Sequence, residues 1–269
     1  MPHMQKCLCL LLLSLYVQPG LARNDLNIAV ASNMSHSITE IADSFREETG
    51  INVNLTFGSS GNFARQIIQG APFKLFLSAD QKYVKLLREN EIKLLYDIEY
   101  ASGRIGLFIP INSSMSDIDD LETAVKKLIF GNYKRLVIAN PEHAPYGIAA
   151  QQALQSAGLW VVEQQRLLLA ENAAQATQIV LSGNVDAGII PASYTYLPKL
   201  LDRGKFFLIP EQWHTPLQQH LVLLDGANNL EKQFFDYLQN KKSQLIIQNY
   251  GYKATFLNQQ KRVYGLASP

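Results

Sequence analysis

The chain has 269 residues, of which 24 are basic and 23 acidic, for a formal net charge of +1. This balance argues against a nucleic-acid or an anionic membrane surface as the partner. Its two cysteines, Cys7 and Cys9, both stand near the start, which excludes a disulfide framework, a thiol nucleophile and a cysteine-based zinc site in the rest of the chain.

The first 22 residues have the pattern of a secretory signal peptide. Lys6 precedes an apolar run from Cys7 to Val17, and the small residues Gly20 and Ala22 follow at the spacing of a cleavage site. We expect cleavage after Ala22, which removes both cysteines and leaves a formal net charge of zero. No later apolar run approaches the length that a membrane-spanning helix needs. The sequence therefore predicts a soluble protein of the periplasm or the extracellular space.

Strands and helices alternate in the first part of the remaining chain. Apolar residues recur at helical spacing after Met34, whereas they alternate with polar residues in 51–57. Glycine and proline residues separate the segments. The predicted elements are a strand at 27–32, a helix that ends at Gly50, a strand at 51–57, a helix around 63–68, a strand at 75–77 and a helix from Asp80 to about Asn90.

The second part repeats the scheme. Strands are predicted at 105–110, 136–139, 187–190, 206–209 and 220–224, and helices at 146–157, 173–182, about 229–240 and 242–249. Such alternation indicates an α/β fold with mostly parallel sheets flanked by helices. The strands are too many for one comfortable sheet, so we predict two lobes. Residues 23–102 plus 213–269 would form lobe 1, and residues 103–212 would form lobe 2.

Small, neutral hydrogen-bonding residues occupy four of the predicted strand-to-helix junctions, at 31–33, 58–61, 144–147 and 171–174. A helix start exposes unpaired N–H groups and the positive end of the helix dipole, so it attracts anions. Ligands of open α/β sheets bind beyond the carboxyl ends of the strands, where all four junctions lie. Two junctions belong to each lobe. The sequence therefore predicts an anion receptor with its site between the lobes, rather than an enzyme.

Several stretches at these junctions resemble the periplasmic molybdate-binding proteins, and the resemblance runs from about residue 27 to about 252. The stretches are Ala-Val-Ala-Ser-Asn at 29–33, Phe-Gly-Ser-Ser-Gly at 57–61 with Ala-Arg-Gln-Ile at 64–67, Gly-Ala-Pro at 70–72 with Leu-Phe-Leu-Ser-Ala-Asp at 75–80, and Asn-Pro-Glu-His-Ala-Pro-Tyr-Gly at 140–147. The resemblance implies the type II periplasmic binding-protein fold and delivery of molybdate or tungstate to the membrane permease of an ABC transporter. We further expect a monomer without a cofactor.

The resemblance also implies which residues contact the oxyanion. Ser32 and Ser60 match serines that offer a hydroxyl and a backbone N–H, and Tyr146 and Ala173 match positions that use mainly the backbone N–H. Asn33 matches a position that contacts the anion in some members. These groups bind the oxygens of the anion, so no residue is expected to bind the metal directly.

Two positions depart from the family pattern. Lys74 stands just before the predicted strand at 75–77, where members usually have an acidic residue. Pro191 stands where many members have a tyrosine whose hydroxyl touches the anion, and proline offers neither a hydroxyl nor an N–H. A fifth contact must then come from Asn33, from the region of Tyr146 or from Tyr194, or be missing.

Simpler roles compete with the binding roles of the same residues. Ser32 and Ser60 could be ordinary helix N-caps, and Ser37 with Glu40 offers a capping box that would move the start of the first helix. Tyr146 could be a surface aromatic residue.

Other functions remain open as well. His143 beside Glu142 could be an acid–base pair, but a loop role is favoured because nothing nearby in the sequence completes a triad. Arg65 is expected in a structural ion pair. The turn at 58–61 superficially resembles that of an exported serine hydrolase, yet it lacks the Gly-x-Ser-x-Gly motif. A receptor of the same fold for sulfate or another small anion is the remaining alternative.

Overall fold

The computed structural model describes residues 26–131, 133–160, 166–198 and 200–255. The predicted signal peptide and its cleavage site lie outside the described residues. Within these ranges, every helix is either too short or too polar to cross a lipid bilayer.

Strands and helices alternate along the described residues, as the sequence predicts. In chain order the elements are β1 Leu26–Ala31, α1 Ser35–Thr49, β2 Val53–Gly58, α2 Ser60–Ile68, β3 Leu75–Ser78, α3 Gln81–Glu89, β4 Leu94–Gly103, β5 Ile105–Pro110, α4 Leu121–Phe130, β6 Leu136–Ala139, α5 Pro145–Ser156, β7 Leu167–Ala170, α6 Ala173–Leu181, β8 Ala187–Pro191, β9 Gly204–Leu208, β10 Leu217–Leu224, α7 Asn229–Leu238, α8 Lys241–Asn249 and β11 Lys253–Ala254. A short 3₁₀ turn, Ser32–Met34, connects β1 to α1.

The strands form two separate sheets, which define two lobes. The first sheet has the order β11-β4-β10-β3-β1-β2, and the second has the order β7-β6-β8-β5-β9. The chain passes from the first sheet to the second between Gly103 and Ile105, and it returns between Leu208 and Leu217. The two-lobe α/β fold with flanking helices is therefore confirmed. The predicted lobe limits, at 102/103 and 212/213, stay a proposal.

Both sheets are mixed, which corrects the prediction of mostly parallel sheets. In the first sheet β1 is parallel to β2 and β3, whereas β10 is antiparallel to both β3 and β4. The cause is the path of the chain. β4 leaves the first lobe and β10 re-enters it beside β4, with Leu217 opposite Gly103, so the two strands must run in opposite directions. In the second sheet β5 is likewise antiparallel to β8 and β9.

Alternate residues of the central strands enter two different layers of the core. In β3, Leu75 and Leu77 pack with Phe45 and Phe234 on one face, while Phe76 packs with Phe63 on the other. Because side chains alternate across a strand, a strand with helices on both faces needs an unbroken apolar run. Each fully buried leucine or phenylalanine contributes about 1.5–3 kcal/mol relative to an exposed one.

Two helix boundaries match the prediction in detail. Gly50 ends α1 in the left-handed conformation with φ of 74°, and the Asp80 side chain caps α3 by accepting the N–H of Tyr83. The alternative prediction, a capping box formed by Ser37 and Glu40, is wrong. α1 begins at Ser35, and the Ser37 hydroxyl donates to the carbonyl of Met34.

Candidate functional site

The four predicted junctions meet at one small cavity between the lobes. Its lining consists of residues 31–33, 58–60 and 144–146, with Ala79 and Ala173. All five predicted contact residues lie there: Ser32, Asn33, Ser60, Tyr146 and Ala173. The space open to the centre of a water-sized sphere is about 10 Å³, so the cavity suits a guest much smaller than a drug-sized ligand.

The cavity presents neutral donors at the starts of helices. Among the residues that the structure describes, those that line it carry no charged side chain. α2, α5 and α6 all begin at this cavity, and each contributes the positive end of its dipole and first-turn N–H groups without intrahelical partners. Such an arrangement favours an anion without an ion pair.

The Ser32 hydroxyl bridges the two lobes. Its Oγ accepts the N–H of Ala174, at the start of α6, over 3.2 Å. Because it accepts this bond, the hydroxyl keeps its own hydrogen for another acceptor. The Ser32 carbonyl accepts the Tyr194 hydroxyl at 3.1 Å, which holds the 3₁₀ turn in place from the second lobe. Ser32 is therefore not an N-cap, and its hydroxyl hydrogen is available to donate.

Ser60 is held in the same way within the first lobe. It is the first residue of α2 and fully buried, and its Oγ accepts the N–H of Ala79 at 2.9 Å. The N-cap is Ser59, so the competing interpretation of Ser60 as a cap is wrong. Here too an accepted bond leaves the hydroxyl hydrogen free to donate.

Asn33 lines the cavity, but its side-chain amide is occupied within the protein. Nδ2 lies 2.9 Å from Gln219 Oε1, 3.1 Å from the Tyr252 hydroxyl and 3.3 Å from the Tyr146 hydroxyl. An amide nitrogen has only two hydrogens, so none remains for a ligand. Any contribution of Asn33 to the cavity must come from its backbone.

Tyr146 is buried, so the interpretation as a surface aromatic residue is wrong. Its hydroxyl points away from solvent toward the crossing between the lobes, where a Cβ on Gly103 would stand 2.2 Å from the hydroxyl oxygen. Burial raises the pKa of Tyr146 well above its usual range, so the hydroxyl stays neutral. Since Pro145 has no N–H, the N–H of Tyr146 is the first donor of α5.

Ala173 occupies the equivalent place at the start of α6. The Asn172 side chain caps the N–H of Gln175, and Ala174 donates to Ser32. The N–H of Ala173 belongs to the same first turn and has no intrahelical acceptor. Both predicted positions of the second lobe therefore offer backbone groups.

Pro191 and Tyr194, the two residues that bear on a fifth anion contact, do not line the cavity. Pro191 ends β8 opposite Ile105 in the sheet. The Tyr194 hydroxyl donates to the Ser32 carbonyl rather than to the cavity. Burial raises the pKa of Tyr194 to about 12. Ser59 lines the cavity instead, and no pattern in the sequence singles it out.

His143 holds a more specific position than a loop role implies. Its Nδ1 lies 3.0 Å from Ser59 Oγ, and its Nε2 lies 3.6 Å from a carboxylate oxygen of Glu171. His143 therefore does have a hydroxyl and a carboxylate beside it in the folded protein. The sequence did not indicate them because Ser59 and Glu171 belong to two other junctions. The ion pair predicted for Arg65 stays a prediction. The Arg65 guanidinium donates to Asn62 Oδ1.

Contacts across the lobes surround the cavity, so the structure has the closed arrangement. The N–H of Gly61 donates to the His143 carbonyl at 2.9 Å, and the Tyr83 hydroxyl donates to the Glu142 carbonyl at 3.4 Å. On the opposite side the Ser193 hydroxyl donates to the Asn33 carbonyl.

Two α/β lobes closed around a small cavity of neutral donors define a solute-binding protein for a small anion. The chain belongs to the family of bacterial extracellular solute-binding proteins, whose sequence profile matches residues 26–253. It is 35% identical over 231 residues to the molybdate-binding protein ModA of Azotobacter vinelandii, covering 85% of this chain and 89% of that protein. It is 32% identical over 234 residues to ModA of Rhodobacter capsulatus, covering 86% and 89%. The solved structure of the periplasmic molybdate-binding protein of Azotobacter vinelandii matches with a TM-score of 0.76 at 27% identity, covering 84% of this chain and 98% of that one.

Proposed function

We propose that this protein captures molybdate or tungstate between its lobes and delivers the anion to the membrane permease of an ABC transporter. The observation that carries the proposal is the cavity itself, in which four helix or turn starts and two serine hydroxyls surround one small space. The relatives named as molybdate-binding proteins support the same ligand.

A cavity rich in neutral donors matches the chemistry of a tetrahedral dianion. The four oxygens of molybdate only accept hydrogen bonds, and each bond to a charged acceptor contributes about 1.5–3 kcal/mol. The hydroxyls of Ser32 and Ser60 with the N–H groups of Tyr146 and Ala173 would provide four such bonds. Phosphate that carries a proton would turn an O–H toward donors and be rejected. Sulfate is smaller, so its exclusion depends on the fit of the cavity.

The rest of the assignment follows from this role. The closed lobes would present the surface that the permease recognises, and the protein would act as a monomer without a cofactor or a catalytic step. Export would use the predicted signal peptide with cleavage after Ala22. A serine hydrolase is disfavoured because Ser59, the serine next to His143, faces a closed cavity too small for most esters or peptides.

Thermal unfolding of residues 23–269 tests the proposal. Molybdate, tungstate, sulfate and phosphate are added separately, because a ligand that binds only the native state raises the melting temperature with its occupancy. We expect a shift with molybdate and tungstate alone. A shift with sulfate as large as that with molybdate would favour a general oxyanion receptor, and no shift with any of the four would overturn the proposal.

A further inference from the structure

A serine, a histidine and a carboxylate are aligned at the edge of the cavity. Ser59 belongs to the first lobe and lines the cavity, whereas His143 and Glu171 belong to the second lobe. His143 and Ser59 are buried, and the Ser59 hydroxyl does not cap α2. The 3.0 Å separation of Ser59 Oγ from His143 Nδ1 shows that the hydroxyl is committed to the imidazole.

The charged and titratable groups around His143 come from four elements. A carboxylate oxygen of Glu171 lies 3.6 Å from Nε2, and the other oxygen accepts a hydrogen bond from Asn62 Nδ2. Asn62 Oδ1 in turn accepts a hydrogen bond from the guanidinium of Arg65 on α2. Tyr83 of α3 donates to the backbone of Glu142, and burial raises the pKa of Tyr83 to about 12, so that hydroxyl stays neutral. The Glu142 carboxylate turns to Asn140. The charge that faces the imidazole ring is therefore the carboxylate of Glu171.

The protonation state of His143 decides what Ser59 offers to the cavity. In the neutral ring, a hydrogen on Nε2 faces the Glu171 carboxylate, and Nδ1 must accept the Ser59 hydroxyl hydrogen. The other neutral tautomer would turn an unprotonated Nε2 toward that carboxylate, which is unfavourable. Ser59 then presents only lone pairs to the cavity. When both ring nitrogens carry hydrogens, Nδ1 donates to Ser59 Oγ, and the Ser59 hydrogen is free to donate to a guest.

We propose that His143 is a positioning residue that takes up a proton when the anion binds and thereby turns Ser59 into an additional donor. This inference rests on the proposed oxyanion function of the cavity. It also supplies the fifth contact that Pro191 cannot provide. The dianion and Glu171 both stabilise the imidazolium, so binding and protonation reinforce each other. Affinity then falls as the pH rises, by up to about tenfold per pH unit where one proton is taken up.

Titration calorimetry with molybdate, in Tris and in PIPES at the same pH, measures the proton uptake directly. We expect uptake of up to about one proton per anion. His143→Asn places an amide donor near the position of Nδ1, so it should bind molybdate with an affinity independent of pH and without proton uptake. Ser59→Ala should weaken binding and show a smaller pH dependence than the wild-type protein, because only the direct attraction between the dianion and the imidazolium remains.

His36→Asn is the matched control, because His36 is exposed on α1 and packs beside Tyr194 rather than the cavity. It should keep the full proton uptake. Binding by the wild-type protein without proton exchange, or uptake that persists in His143→Asn, would overturn this inference while leaving the oxyanion function intact. Failure of the wild-type protein to bind molybdate at every pH would instead overturn the proposed function.

Discussion

The first lobe faces the cavity with the hydroxyls of Ser32 and Ser60, whereas the second lobe faces it mainly with the N–H groups that begin α5 and α6. A hydroxyl depends on its side chain and on the group that orients it. A backbone N–H depends only on where its helix starts. The first lobe should therefore be sensitive to truncation of side chains, and the second to displacement of a helix.

The largest effect is expected from Gly147→Ala in the second lobe. A Cβ at Gly147 would stand 2.3 Å from the Ala139 carbonyl oxygen, so α5 must move away from β6 and carry the N–H of Tyr146 with it. Overpacking of this kind costs about 1–3 kcal/mol. We expect molybdate affinity to fall by up to about a hundredfold in calorimetry. Gln151→Ala, farther along α5, is the control, and unchanged binding by Gly147→Ala would show that the start of α5 contributes no donor.

A charged junction beside the cavity provides the next test. Asp80 follows β3, and burial raises the pKa of Asp80 to about 6, although the N–H of Tyr83 and nearby cations oppose the shift. Since the unfolded carboxyl has a pKa of about 3.9, the folded state is destabilised as the pH rises from about 4 to 6 and stays so above. Asp80→Asn keeps an oxygen to cap α3. It should raise the free energy of unfolding at pH 7 by up to about 2–3 kcal/mol, with the gain vanishing near pH 4.

Chemical denaturation of both proteins at pH 4 and pH 7 measures this difference. The corresponding change at the exposed Asp43 of α1 is the control, and Asp43→Asn should show no comparable gain. A gain for Asp80→Asn that is equal at the two pH values would contradict the assigned titration.

Removal of a first-lobe hydroxyl should have a smaller but clear effect on binding. Ser60→Ala deletes one charge-assisted hydrogen bond and leaves the Ala79 N–H without its acceptor. We expect molybdate affinity to fall by about tenfold or more, and Ser32→Ala to behave similarly. Ser44→Ala on α1, away from the cavity, is the control. Unchanged affinity in both cavity variants would remove these hydroxyls from the site.

The sequence predicted the convergence of the four junctions because each is a local pattern at the end of a strand. The sequence pattern did not predict β4, because Asp97 and Glu99 interrupt its apolar residues. These carboxylates bond to His220 and Gln218 of β10, which lie far away in the chain. α4 and β7 were also missed.

The orientation of side chains at the site could not be predicted from the sequence. Asn33 turns toward Gln219 and Tyr252, which follow 186 and 219 residues later. The alignment of His143 with Ser59 and Glu171 likewise needs three junctions from two lobes. A local pattern indicates that a helix starts at a residue, but the choice between facing the guest and facing the protein depends on such distant partners.

The smallest effect is expected from Tyr146→Phe, which tests the second lobe where side chains should matter least. The Tyr146 hydroxyl lies 3.3 Å from Asn33 Nδ2 and against Gly103, while its N–H is the group placed at the start of α5. Asn33 retains Gln219 and Tyr252 as acceptors when the hydroxyl is removed. Molybdate affinity should therefore change by less than about threefold in calorimetry, below the value of one net hydrogen bond. A loss as large as that of Ser60→Ala would mean that the hydroxyl reaches the anion, and the contrast between the two lobes would fail at this residue.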